Sequence, residues 1–253
     1  MRTFFVQMMR EVRGIFYTPI AYVVMVTLLV LLGWMFQFGV SQINKTTTEY
    51  TVLQATFVSG LFFFTLSIMT SLITMRTFSE EYRMGTIEAL TTAPINEWHI
   101  VLAKFFGTVV FFAVALIPSL LFYVIFDRES GGHPVAKGVG AIYSTYFMIL
   151  MVSMLFISVG NFASSLVRDQ VTAGVISITV KMLYLVVPLM LGIMLNVTDP
   201  RVRTLAEFIS PFSHINDATA GIVDSRRVVW YLSLSAFFLI LTHHIFHSRK
   251  LKS

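Results

Sequence analysis

Apolar and polar positions divide this chain into long blocks. Six runs are almost wholly apolar, at about 20–38, 56–75, 100–126, 141–163, 171–195 and 228–246. A helix that crosses a bilayer needs roughly 20 such residues. Barrel strands would instead alternate over about ten residues. Runs such as LFFFTLSIM and FLILTHHIF do not alternate. The pattern predicts an all-α integral membrane domain spanning 1–253, with six transmembrane helices.

Three segments break the apolar pattern. In 1–18, Phe4, Phe5, Met8, Met9, Val12, Ile15 and Phe16 recur at three- and four-residue spacing, with Arg2, Arg10 and Arg13 between them. That periodicity predicts an amphipathic interfacial helix. Pro19 then permits a sharp turn into the first span, because it supplies no backbone N–H. The second segment, 78–95, opens FSEEYRMGTIEALTTAP between two apolar spans. As one straight helix it has no single apolar face, since Phe78 and Ile87 would point opposite ways at about 100° per residue. A break at Gly85 removes the conflict: glycine takes the left-handed conformation that ends a helix. Thr86 can cap the next helix, with Glu88 in its first turn. Ile87 and Leu90 then share a face, and Pro94 disfavours helix at Ala93. A short helix presenting Ile87, Leu90 and Glu88 suits a docking knob. The other reading is an acidic spacer between spans. The third segment, 198–227, precedes the last span.

Of the 253 residues, 56% are apolar and 12% charged. A soluble domain carries roughly 25% charge, so lipid is the expected solvent. The chain has no cysteine, which excludes disulfides and thiolate chemistry. The start MRTFFVQMMREVRGIF reads as no cleavable signal. A net charge of +5 is explained by topology rather than by nucleic acid. With six spans both termini share one side. Ten Lys and Arg and six acids fall on that side, against seven and seven on the other, with Lys181 inside a span. The bias places the termini, the 78–95 insert and the Arg168–Asp169 turn in the cytoplasm. No G-x-x-x-x-G-K-[ST] phosphate loop occurs. The glycine cluster SGGHPVAKGVG lacks its spacing. No catalytic residue is expected.

The series Glu81-x-x-x-Gly85-Thr86-x-Glu88-x-Leu90-x-x-x-Pro94 resembles the signature after the second span of type-2 ABC exporter permeases. It is most similar to the subfamily of gliding-motility and copper-enzyme-maturation permeases. Further likenesses are TPIAYVV at 18–24, SSLVRDQVTAGVIS at 164–177, SPFSHINDATAGIVDSRRVVWYLSL at 210–234 and the terminal Arg249-Lys250. The resemblance implies that the helix after Gly85 is a coupling helix seated in a separate cytosolic ATPase subunit. It implies that 1–18 is the connecting helix and that 198–227 holds short re-entrant helices on the outer side. It further implies two ATPase subunits per complex and a second permease chain, identical or related, in a bacterial inner membrane. ATP and magnesium would belong to the partner ATPase, with no cofactor in this chain.

Lys181, near the middle of the fifth span, is a functional candidate by its depth, for example on a translocation path meeting an anionic substrate group. The alternatives are a lysine in a seam between chains, hydrogen-bonded to carbonyls, or one that snorkels. His243 and His247 stand at i, i+4, but no Asp, Glu or Cys lies near them in sequence, so no metal site is expected. Pro118 and Pro188 fall inside spans, where a moving bundle tolerates kinks. Asn196-Val197-Thr198 matches a glycosylation sequon that a bacterial chain would leave unused. An ATP-independent carrier or channel is the rival function, and would favour internal repeats or several intramembrane polar groups. An intramembrane hydrolase would need paired acids or a serine–histidine arrangement, which the spans lack.

Overall fold

The computed structural model describes residues 2–43, 51–85, 97–129, 138–194 and 200–250. All regular structure among them is helical. Six helical stretches are long and apolar enough to cross a membrane: Pro19–Gln42, Gly60–Met84, Glu97–Phe126, Val139–Leu166, Gln170–Leu191 and Ser225–Ser248.

Local chemistry explains where the helices start and stop. Helix α1 (Arg2–Tyr17) meets α2 (Pro19–Ile43) at Thr18, whose hydroxyl donates to the Ile15 carbonyl at 2.7 Å. Pro19 occupies the first position of α2, where no N–H is needed. The apolar run that begins near 56 is divided. A short helix α3 (Val52–Phe57), capped by Thr51, precedes α4 (Gly60–Thr74), whose cap Ser59 accepts from the Phe62 N–H at 3.2 Å. After a turn comes α5 (Ser79–Met84), which ends at Gly85 with φ 69° and ψ 5°. That left-handed geometry is open to glycine at little steric cost and is the break expected there. Helix α6 (Glu97–Leu116) gives way to a 3₁₀ turn at Ile117–Ser119, which contains Pro118, and then to α7 (Leu120–Glu129). The remaining helices are α8 (Val139–Leu166), α9 (Gln170–Met194), α10 (Pro200–Ile209), α11 (Pro211–Thr219) and α12 (Ser225–Lys250).

Helix α8 is the axis of the bundle. It packs against α4, α6, α9, α11 and α12, and no residue from Met148 to Ser165 is exposed. Small and hydroxylated side chains let the backbones approach, as in helix packing within lipid. The tightest crossing is at Gly160, where an added Cβ would lie 2.7 Å from Thr74 Cβ and closer still to its Oγ1. Below this crossing Thr77 donates to Asn161 Oδ1 at 3.0 Å. Ser164 Oγ accepts from the backbone N–H groups of Phe78 and Ser79. The start of α5 is thus pinned to the end of α8.

Side-chain contacts define two ends. At one end α1 lies along α6, with Phe4 against His99 and Phe106, and Phe16 against Phe111. The end of α12 reaches the same place, where Phe246 meets Phe78 and His247 meets Glu97. The N- and C-terminal helices therefore share one end. At the other end α3 and α11 are joined by Gln54 donating to Asn216 Oδ1 at 2.5 Å, and α8 joins α11 through Ser144 and the Ala218 carbonyl.

Candidate functional site

The base of the 78–95 insert is held by ions. Glu81 on α5 places Oε1 2.7 Å from Lys104 Nζ, and Glu11 on α1 places Oε2 3.5 Å from the same nitrogen. The Lys104 side chain is only 4% exposed, and the Phe78 ring lies beneath its ammonium, 5.5 Å to the centroid. An isolated charge in that position would be costly; two carboxylates and an aromatic face compensate it. Three helices, α1, α5 and α6, thus converge on one buried cation. The α1–α6 contact is close because residue 107 is glycine: a Cβ there would meet Glu11 Cβ at 3.0 Å. A cavity of about 240 Å³ opens beside the cluster, lined in part by Glu11, Arg76, Glu80, Glu81 and Lys104. Two polar atoms here, Arg76 Nε and Glu81 Oε2, are buried without a hydrogen-bond partner.

Of the motif residues, Glu81 and Gly85 lie in the described part of the chain; Thr86, Ile87, Glu88, Leu90 and Pro94 lie outside it. Lys104 and Glu11 were not singled out by sequence. The available signal was a lysine one turn inside an apolar span, facing a motif glutamate that needed a partner. At the far edge of the insert, Glu97 opens α6 and accepts a 2.9 Å hydrogen bond from His247 Nδ1. His243 Nε2 lies 3.7 Å from the same carboxylate and its ring stacks on Trp98. The histidines therefore do have an acidic neighbour, from a distant part of the chain. Among the described residues no group of three or more His, Cys, Asp or Glu is placed to hold a metal ion.

Lys181 is a separate site. It is 1% exposed and donates to Ser71 Oγ at 2.8 Å and Thr70 Oγ1 at 3.1 Å, both on α4. Those hydroxyls spend their own protons on carbonyls one turn back, Leu66 for Thr70 and Ser67 for Ser71. Their lone pairs remain for the ammonium. Both partners are hydroxyls of α4 in the same chain. No carboxylate among the described residues lies within ion-pair distance of Lys181. Sites at Glu81 and Lys181 do not touch, but the same polypeptide, α4 running into α5, carries partners of both.

At the turn between α8 and α9, Asp169 caps α9. Its Oδ2 accepts from the Thr172 N–H at 2.8 Å and hydroxyl at 2.7 Å. These hydrogen bonds, the backbone one first, hold its carboxyl below the usual range.

Comparison with known proteins fits this architecture. No curated protein matches the chain. The model of the family described as ABC-2 family transporter protein matches residues 54–246, well over half of the chain. That match begins in α3, takes in Glu81, Lys104 and Lys181, and ends one residue before His247. The chain therefore belongs to the ABC-2 transporter family and is a multi-pass membrane permease component of an ABC transporter.

Proposed function

We propose that this chain is the permease subunit of an ATP-driven exporter and that the segment from Glu81 to Pro94 couples it to a separate cytosolic ATPase. The observation that carries this reading is the Glu81–Lys104–Glu11 cluster. A docking segment can move spans only if its base is fixed to them. Here the base is fixed to α6 and α1 by buried ions, and to α8 through Ser164. Force applied beyond Gly85 then displaces helices rather than bending a loop. Gly85 is the joint: its left-handed backbone lets the following residues leave at an angle.

In this reading Gly85, Thr86, Ile87, Glu88, Leu90 and Pro94 form the coupling element, with Ile87 and Leu90 filling a groove of the ATPase and Glu88 at its rim. ATP and magnesium bind in two ATPase subunits. A second permease, identical or related, completes the complex. The charge bias supports cytoplasmic termini, the spacing of apolar residues and arginines in 1–18 supports α1 as an amphipathic interfacial helix, and the family resemblance supports a bacterial inner membrane and α10 and α11 as re-entrant helices on the outer side. The motif resemblance supports the gliding-motility and copper-enzyme-maturation subfamily. Lys181 lies on the translocation path.

The test is ATPase modulation. The ATPase that co-purifies with the permease is assayed alone and with the permease in nanodiscs. Gly85→Leu or Glu88→Lys is expected to reduce the permease-dependent change in ATPase rate roughly tenfold, a coupling effect of ordinary size, with membrane insertion unchanged. Wild-type modulation in both variants returns the insert to a spacer.

A further inference from the structure

An apolar cavity of about 340 Å³ lies against Lys181, lined by Phe156 and Val159 of α8, Val187 of α9, and Leu234 and Phe238 of α12 among others. Apart from Lys181 and Tyr184 its lining is hydrocarbon, and the Tyr184 hydroxyl is already spent on the Ile209 carbonyl. Two lining residues of α9, Leu183 and Val187, are 64% and 46% exposed. The cavity thus opens sideways on the flank of the bundle between α9 and α12. Lys181 is itself part of the lining, and its ammonium lies 5.9 Å from the centroid of the lining Phe156 ring.

A buried ammonium held by two hydroxyls and a ring face, with no counter-ion among the described residues, is incompletely compensated. Among the described residues no acidic side chain lines the cavity or pairs with Lys181. A cavity with this lining accepts hydrocarbon, so an acidic group carried on an alkyl chain could enter through it and supply the missing counter-charge. Depth narrows the choice further. Lys181 is eleven residues from the start of α9 and thirteen from its end, so about 16 Å and 20 Å from them at 1.5 Å per residue. A resting lipid keeps its head group at the interface, about 15 Å from the midplane of a hydrocarbon core about 30 Å thick. An acid that reaches Lys181 has left that position.

We propose that this cavity binds an alkyl-chain amphiphile with a single acidic head, a carboxylate or a phosphate monoester, taken laterally from the bilayer with its head on Lys181. The proposal rests on the permease reading and names the substrate class for it.

The test is photolabelling of the purified permease in nanodiscs, without ATPase. Three diazirine probes share one alkyl chain: the free fatty acid, its methyl ester and the lysophosphatidate. The wild type is expected to take up one or both acidic probes at least roughly tenfold better than the ester, a difference of ~1.4 kcal/mol. The acid-to-phosphate ratio tells which head it prefers. Adducts should map to the cavity residues of α8, α9 and α12. Lys181→Met, close in shape, should label equally with acid and ester, and Lys181→Arg should keep the preference. Equal labelling by acid and ester in the wild type, or a preference that survives in Lys181→Met, overturns the proposal. If Lys181→Met fails to fold, Val187→Trp at the exposed mouth decides: cavity labelling by the acid should fall, and unchanged labelling overturns the proposal. Because no ATPase is present, a negative result leaves the coupling reading standing. A failure of Gly85→Leu and Glu88→Lys to uncouple leaves the labelling result standing in turn.

Discussion

His214 on α11 uses both ring nitrogens. Nε2 lies 3.0 Å from the Phe208 carbonyl, which can only accept, so Nε2 carries the proton. Nδ1 then accepts from the Tyr231 hydroxyl at 2.7 Å. Burial, reinforced by the nearby Arg227 charge, pushes the pKa of His214 down from 6.5 to about 4. The unfolded chain therefore binds the proton first as pH falls. The stabilisation is fully present above about pH 6.5 and is lost as pH drops to about 4, up to about 3 kcal/mol at 1.36 kcal/mol per unit. Denaturation of the purified protein between pH 7 and pH 4 should show this loss, and His214→Gln, which cannot titrate, should flatten it. An unchanged acid limb in His214→Gln would place the sensitivity elsewhere.

Among the helices, the α4–α8 crossing sets how α4 can transmit anything. Gly160→Ala places a methyl into Thr74 and forces the helices apart, which typically costs 1–3 kcal/mol. Unfolding in mixed micelles should register that loss, and Thr74→Gly should recover part of it in a double-mutant cycle. Additive losses would mean that the helices do not meet there. This level also shows what the sequence could and could not reveal. The six apolar runs and the break at Gly85 are local features, set by composition and by one residue's backbone freedom, and both were legible. The ion cluster was not, because Glu11, Glu81 and Lys104 come from three helices whose packing no short-range pattern encodes. The Glu97–His247 bond joins residues 150 positions apart. The hydroxyls that hold Lys181 were hidden for another reason. Thr70 and Ser71 also bond to their own helix, so nothing in α4 marks them as partners of a lysine.

At the scale of the molecule, these side-chain links form one route. The insert is anchored at Glu81 to α6 and α1, and at Glu97 to α12. From α5 the chain leads back through α4 to the hydroxyls that hold Lys181. One stretch of chain, α4, the turn after it and α5, therefore joins the proposed docking segment to the proposed binding cavity. The family match makes the chain a permease component; its coupling through the insert is the central claim. The most direct test is a photo-crosslinking amino acid at position 88, in cells that carry the complete transporter. The account predicts an adduct with a cytosolic ABC ATPase subunit, lost when Gly85→Leu redirects the segment. Adducts with lipid or with the permease alone would contradict it.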